Sequence, residues 1–349
     1  MAYTTVNDPS AYFHTALYTG NGSSQTVTND ANAGDFKPDW IWVKNRSTAD
    51  SHMLSDSNRG STKALVSSGN GAEFTPTNGN LAFLTDGFSF GSNNNYNRNT
   101  DSFIAWQWKA NGGTTASNSN GSITSTVQAN TTAGFSIVTW TGTGSNGTVG
   151  HGLGKAPDCI FFKNYAASEN WTTYHSVLGN SGGMYLNLSN DFNTASSWYS
   201  DTSPTSSSFY VGTNSKTNGG TMVAYCFANT KGFSKFGKYT GNGSDSNGAF
   251  VYTGFKVKYL LIKRTNADQS WHISDTNMDP INPNTQRLLA DSSGAEETRS
   301  TTDSIDFLSN GFKLYSNQNI INGNGDTYVY MAFAQNPLVA SNNVIALAR

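Results

Sequence analysis

One five-residue turn, "YTGNG", stands at Tyr18–Gly22 and again at Tyr239–Gly243, with a close variant, "WTGTGSNG", from Trp140 to Gly147. More than the turn recurs. Each copy continues into an apolar run ending in lysine: "FKPDWIWVKNR", "LGKAPDCIFFKN" and "FKVKYLLIKRTN". Eight residues past each lysine comes a ring, from Lys44 to His52, Lys163 to Trp171 and Lys263 to Trp271. Each copy then ends in a long closing stretch: "DGFSFGSNNNYNRNTDSFIAWQWKA", "SSSFYVGTNSKTNGGTMVAYCFAN" and "NGFKLYSNQNIINGNGDTYVYMAFAQ". The turn glycines Gly20, Gly142 and Gly241 lie 122 and 99 residues apart, and the lysines 119 and 100 apart. An ordered set of marks occurring three times implies three diverged copies of a unit of roughly 100 residues.

Within a unit the apolar period is two, which is the strand period. In "WIWVK", Trp40, Trp42 and Lys44 share one face while Ile41 and Val43 take the other; the second copy sets Cys159, Phe161 and Lys163 against Ile160 and Phe162. Apolar residues on both faces predict a strand covered on both sides. In the closing run, Ile104, Trp106 and Trp108 align with Val223, Tyr225 and Phe227, then with Val329, Met331 and Phe333. The opposite face carries Ala105 and Gln107, Ala224 and Cys226, Tyr330 and Ala332. That contrast predicts a half-buried strand with one aromatic face inward. Asn21-Gly22 and Asn242-Gly243 suit the positive-φ positions of tight hairpin turns, so the recurring pentapeptide reads as the end of a first strand and its turn.

Composition supports this. Aromatic residues are 13% of the 349, enough to build cores from rings that each bury roughly 150–250 Å². The abundant Asn, Ser, Thr and Gly disfavour helix interiors. The expected fold is all-β: three tandem repeats, each the size of a small β-sandwich. The expected layout is an N-terminal arm 1–11, repeat 12–110, a polar linker 111–133, repeats 134–233 and 234–336, and a tail 337–349. The linker assignment rests on the polar composition of "NGGTTASNSNGSITSTVQANTTA". Spacing leaves open whether the copies close separately or share strands.

Repetition also acts as an internal control, because a catalytic residue is expected in one copy, as a departure from the shared pattern. His52 occupies the slot of Trp171 and Trp271 and reads as a packing ring. His14, His151, His175 and His272 are single and read as packed or exposed histidines, without metal-ligand spacing. Glycoside hydrolysis needs paired carboxylates, yet the four glutamates, Glu73, Glu169, Glu296 and Glu297, lie on no recognisable catalytic strand. Glu296 and Glu297, in "SSGAEETRS", read as a solvated loop. There is no G-x-S-x-G elbow and no G-x-x-x-x-G-K-[ST] loop, and "GHGLGK" has no following helix to bind phosphate. Asp56 in "SDSN" and Asp275 in "SDTN" recur twelve residues past Lys44 and Lys263, with His175 in the middle copy. Such clusters hold Ca²⁺ or form Asx-turns; turns are the expectation. Cys159 and Cys226 fall at non-matching positions, as buried thiols rather than a bridge. The expectation is a protein that is no enzyme, with no cofactor and no catalytic, cofactor-binding or metal residue assigned.

A net charge of −2 without a Lys/Arg cluster argues against nucleic-acid binding. No apolar run is long enough to insert in a membrane, and "MAYTTVNDPS" lacks the pattern of a signal peptide. Synthesis in a cytoplasm as a soluble protein is expected.

The stretches "GFSIVTWTGTGSNGTVGHGLGKAPD", "YTGNGSDSNGAFVYTGFK" and "DFLSNGFKLYSNQ", with the opening "MAYTTVNDPSAYFHTALYTGNG", resemble a family of virion-associated proteins of marine tailed bacteriophages. Its members carry tandem copies of a domain of unknown function and are commonly labelled tail or tail-fibre proteins. The resemblance covers nearly the whole chain. It implies a virion structural protein, made in the host cytoplasm, with a lectin- or jelly-roll-like sandwich in each unit. The implied role is tail-associated host-surface attachment by glycan binding; the alternative is a capsid decoration or a tail or baseplate accessory. It brings no binding residues. The chain has no heptad shaft and no collagen-like run, so it cannot form a long fibre alone. Implied partners are other virion proteins and a host glycan or receptor. A homo-oligomer, a trimer by analogy with symmetric phage appendages, is expected, with the arm or the tail docking on a neighbouring chain.

Overall fold

The structure is a computed structural model and describes residues 4–29 and 36–339. It is all-β apart from single helical turns. The first segment forms β1 (Phe13–Thr19), β2 (Gln25–Val27), β3 (Trp40–Asn45), β4 (Met53–Asp56), β5 (Leu65–Val66), β6 (Ala82–Phe83), β7 (Phe88–Phe90) and β8 (Ser102–Trp108). Next come β9 (Ala116–Asn118) and β10 (Ser125–Asn130). The second segment forms β11 (Phe135–Thr141), β12 (Gly147–Gly150), β13 (Cys159–Asn164), β14 (Thr172–His175), β15 (Gly179–Tyr185), β16 (Asn193–Thr194), β17 (Ser208–Val211) and β18 (Thr221–Phe227). The third forms β19 (Ser234–Thr240), β20 (Phe250–Tyr252), β21 (Phe255–Arg264), β22 (His272–Asp275), β23 (Gln286–Leu289), β24 (Glu297–Thr298), β25 (Asp303–Leu308), β26 (Gly311–Ser316) and β27 (Thr327–Pro337).

These strands make antiparallel, open sheets. Three large sheets run β1-β8-β3-β4-β5, β16-β15-β14-β13-β18-β11-β10-β9 and β19-β27-β21-β22-β23-β24. All three contain the same core order: first strand, closing strand, lysine strand, then the next two strands in sequence. Each segment also has a small sheet: β2-β7-β6, β12-β17 and β20-β26-β25. Among the described residues no segment lends a strand to another's sheet.

Period-two patterning placed the central strands correctly, but the closing strand departs from expectation. β8 is buried on both faces from Phe103 to Trp108, not on one. Its small outer residues are the reason. Ala105, Ala224 and Ala332 let the small sheets approach, so that Phe88 and Phe90, Phe209 and Val211, and Phe312 and Leu314 pack over them in three separate outer clusters.

The pentapeptide is likewise no tight hairpin. β1 passes from its large sheet to β2 in the small sheet, as β11 passes to β12 and β19 to β20. Gly22, Gly144 and Gly243 sit at φ of +68°, +67° and +67°. A Cβ on Gly20, Gly142 or Gly241 would overlap the carbonyl oxygen of Arg98, Asn218 or Gly323. Each crossing is held by one buried amide. The Asn97, Asn218 and Asn322 Oδ1 atoms accept from the backbone N–H of Asn21, Thr143 and Asn242 at 2.7, 3.1 and 3.0 Å. Their Nδ2 groups donate to further carbonyls, including Gly91 O, Gly212 O and Ser316 O. This is why the turn recurs.

The polar stretch 111–133, expected as a linker, is folded. β10 pairs with β11 from Ser125↔Trp140 to Asn130↔Phe135 and extends the second large sheet. Its entry is fixed by the Asp39 carboxylate, which accepts from the N–H groups of Ala110, Gly112 and Gly113 at 2.7, 2.9 and 2.6 Å. Uncharged Ser, Thr and Gln are compatible with a strand once a neighbouring edge supplies the ladder.

The inner faces of all three large sheets meet in one central cluster that includes Trp40, Trp42, Trp106, Trp108, Phe135, Phe161, Tyr225, Phe227, Tyr259, Met331 and Phe333. Trp40 stacks on Tyr225 (4.4 Å, 19°), Phe13 on Phe333 (4.9 Å, 21°), and Phe227 meets Phe333 edge-on (6.0 Å, 67°). The described part of the arm joins this core: Val6 is buried in it, and Thr4 Oγ1 donates to Lys231 O at 2.7 Å. Residues 1–3 of the arm and 340–349 of the tail, where docking on a neighbour was expected, lie outside the described residues.

Candidate functional site

The polar residues that recur in the sequence are used to hold the segments together. Lys44, Lys163 and Lys263 are fully buried, and each donates to a carbonyl of a different segment: Ser293 O (3.1 Å), Asn70 O (3.0 Å) and Ser189 O (2.6 Å). The three bonds run head-to-tail around the molecule. Burial lowers each ammonium's pKa to about 8. The rings eight residues on follow the same circuit. Trp171 Nε1 donates to Val66 O at 2.9 Å and Trp271 Nε1 to Tyr185 O at 2.7 Å. His52, in the equivalent place, accepts from Trp42 Nε1 at 2.7 Å and faces the backbone of Leu289 and Ser292. It is a packing ring.

Asp56 and Asp275 accept through Oδ1 from the nearby backbone N–H groups of Arg59 and Asn277, as the expected turns, and form a second clasp between segments. Asp56 Oδ2 accepts from Arg59 Nε and from Tyr225 OH of the next segment, both at 2.6 Å. Arg59 also holds Glu73 at 2.6 Å, and these three anionic or phenolic partners raise its pKa against the cost of burial. Asp275 Oδ2 accepts from Trp106 Nε1 (3.1 Å) and Thr15 Oγ1 (2.9 Å) of the first segment. The asparagine two residues on reaches the neighbour's first strand: Asn58 Nδ2 donates to Ile137 O (3.2 Å) and Asn277 Nδ2 to Thr15 O (2.8 Å). In the middle copy His175 Nε2 bonds Tyr330 O at 3.2 Å, and burial lowers its pKa to about 4.

The other candidates are also engaged. His151 bonds Thr205 O and Leu153 N, and His272 bonds Ser274 Oγ; His14 is buried on β1. The expected solvated loop is corrected for Glu296, which makes a two-point ion pair with Arg46 of the first segment (2.7 and 2.8 Å), while Glu297 on β24 is exposed, as expected, and pairs with Arg287 of β23. Glu296 thus joins the third segment to the first, whereas Glu297 stays on the surface of its own. Glu169 accepts from Ser215 Oγ at 2.6 Å. Cys159 and Cys226 are free, buried, and belong to different clusters. No cluster of three His, Cys, Asp or Glu able to hold a metal occurs among the described residues, and no helix there is long and apolar enough to cross a membrane.

What breaks the threefold pattern lies on the outside. Val27, Val149 and Val251 occupy the same buried place in the three small sheets. Flanking them are the exposed Thr26 and Thr28 in the first, Thr148 and Gly150 in the second, covered by Ser122 and Asn118, but the exposed Phe250 and Tyr252 in the third. Both rings are 49% exposed. Pairing of β20 with β26 sets Phe250 opposite Lys313 and Tyr252 opposite Gly311, and β25 adds Asp306 across from Lys313 and Ser304 across from Tyr315. Lys235 Nζ lies 5.2 Å from the Tyr252 ring centre and Lys313 Nζ 5.3 Å from that of Tyr315. Two residues beyond Tyr315 begins an open depression of about 430 Å³, lined by Gln269, Arg287, Asp303 and the run Asn317–Ile320. Sequence reading missed this face. Its signal was present in "QTVTN", "GTVGH" and "FVYTG" once these are aligned on the buried valine.

Among the described residues, fold and surface thus define an all-β protein whose recurrent polar residues bond one segment to the next and whose outward face varies. The chain belongs to a family defined by a domain of unknown function, DUF7483, matched over residues 8–337. That single span takes in all three segments. No curated protein sequence matches the chain.

Proposed function

We propose that this chain is a non-enzymatic structural protein of a phage virion, built as three lectin-like β-sandwich repeats and acting in tail-associated attachment to the host surface. One observation carries the reading: a scaffold repeated three times exposes a pair of rings, Phe250 and Tyr252, in one copy only. In the first segment this place carries threonines, and in the second it is covered by Asn118 over Gly150 and Ser122 on Thr148, so the third alone turns rings outward there, as a surface for something outside the chain. The resemblance of the repeat sequences to phage virion proteins supplies the setting. Because the inner aromatic faces are covered within one chain, the reading does not require a homotrimer. A labelled chain should decorate the tail of virions that carry it, and the free chain should compete with their adsorption. Label confined to the capsid, with adsorption unaffected by excess free chain, would refute attachment. A purely structural accessory role draws on Ile281, 72% exposed, and Phe74, 41% exposed, as apolar contacts for other virion proteins. Loss of particle stability with normal adsorption on deleting the chain would favour it.

A further inference from the structure

Resting on that attachment reading, we propose that the outward face of β20 and β26 binds an acidic polysaccharide, with Phe250, Tyr252 and Tyr315 as stacking platforms and Lys235 and Lys313 as anion partners. Phe250 and Tyr252 project to the same side of β20 while Val251 between them is buried, so the two rings form a strip along the strand. Strand rise separates alternate residues by about 6–7 Å, within the span of one or two sugar rings. An exposed aromatic face offers the apolar side of a pyranose a surface that costs little to desolvate.

The charge says which sugars. Lys235 and Lys313 each sit beside a ring of the strip, and neither makes an ion pair among the described residues. Lys235 Nζ donates to Tyr252 O at 2.9 Å and Lys313 Nζ to Asn247 Oδ1 at 3.2 Å, both neutral acceptors, while the Asp306 carboxylate opposite Lys313 on β25 offsets part of that lysine's charge. The acid of the face, Asp306, lies on the far side of Lys313 from Phe250. A ligand with ring faces and carboxylate or sulfate groups fits; a neutral glycan uses only the rings, and a membrane surface would demand many more cations. The face is particular to the third segment, so each chain offers one such strip.

The test uses the full chain with alginate oligosaccharides, carrageenan oligosaccharides and neutral dextran as probes, read by calorimetric titration in low salt. Binding of at least one acidic probe, tenfold or more tighter than dextran, is expected. The double variant Phe250→Thr with Tyr252→Thr, which installs the kind of residue present in the other copies, should lose at least tenfold for the acidic probe at an unchanged melting temperature. Lys235→Gln with Lys313→Gln should remove the preference over dextran and flatten the salt dependence. No binding of either acidic probe, equal binding of dextran, or binding untouched by both double variants would overturn the proposal. Adsorption competition separates it from the attachment reading. If the Thr double variant competes as well as wild type, the strip is wrong and attachment stands. If wild type binds the acidic probe but never competes, the strip stands and attachment falls.

Discussion

Buried lysines give the residue scale its clearest consequence. With pKa values lowered to about 8 in the folded chain, against an ordinary value near 10.4 in the unfolded chain, the unfolded state holds more protons between those limits. Stability therefore rises with pH there. Between pH 7 and 9 the gain should be about 1 kcal/mol per lysine, read as a rising urea midpoint; a midpoint that falls over this range would contradict the burial assigned to them. The histidines work at the acid end. His52, His175 and His272 are held below their usual pKa chiefly by burial, so the unfolded chain takes up protons first and stability drops as pH falls from about 6.5 toward 4. Tryptophans in the core are not equivalent. Trp106 Nε1 donates to Asp275, whereas Trp108 Nε1 has no acceptor among the described residues and its counterparts are Phe227 and Phe333. Trp108→Phe should cost under about 1 kcal/mol and Trp106→Phe about 2 kcal/mol or more, because the latter strips a donor from a buried carboxylate. Equal costs by denaturant titration would show that the Asp275 contact carries no weight. These roles were only partly legible in sequence. The Lys44, Lys163 and Lys263 series stood out by spacing, but its acceptors, Asn70, Ser189 and Ser293, each four residues past Val66, Tyr185 or Leu289, accept through backbone carbonyls that side-chain identity does not mark.

At the scale of elements, β3 and β8 were legible because alternation of large apolar residues reports strand directly. The full burial of β8 was not, since Ala105 and Gln107 look the same whether they face water or a second sheet. β10 was hidden because its apolar alternation is sparse, Val127 and Ala129 set among Ser125, Thr126 and Gln128, and the strand exists because β11 offers an edge. The crossing turns offer a direct check. Gly142→Ala would force backbone movement at Asn218, and Asn218→Ala would leave the Thr143 N–H and the carbonyls of Ser145 and Gly212 without their partner. Each should lower stability by about 2–4 kcal/mol and raise proteolysis at 142–147. Substitution at Gly144, where a side chain meets open space but φ is +67°, should cost only about 1 kcal/mol. If all three variants match wild type in thermal melts, the amide does not fix the crossing.

For the whole molecule, the sequence pointed to three like units but hid how the segments meet. Apolar residues on both faces of "WIWVK" required two covers; one proved to be the segment's own small sheet and the other the neighbouring segments. That shared ring core, with the Lys, Asp and arm contacts around it, ties the three segments into one cooperative body. Differential scanning calorimetry of the intact chain tests this most directly. One transition is expected, with a van't Hoff enthalpy equal to the calorimetric one at about 200–250 kcal/mol for a chain of this length. Three resolved transitions, or a van't Hoff enthalpy near 70 kcal/mol, the value for roughly 100 residues melting alone, would contradict it.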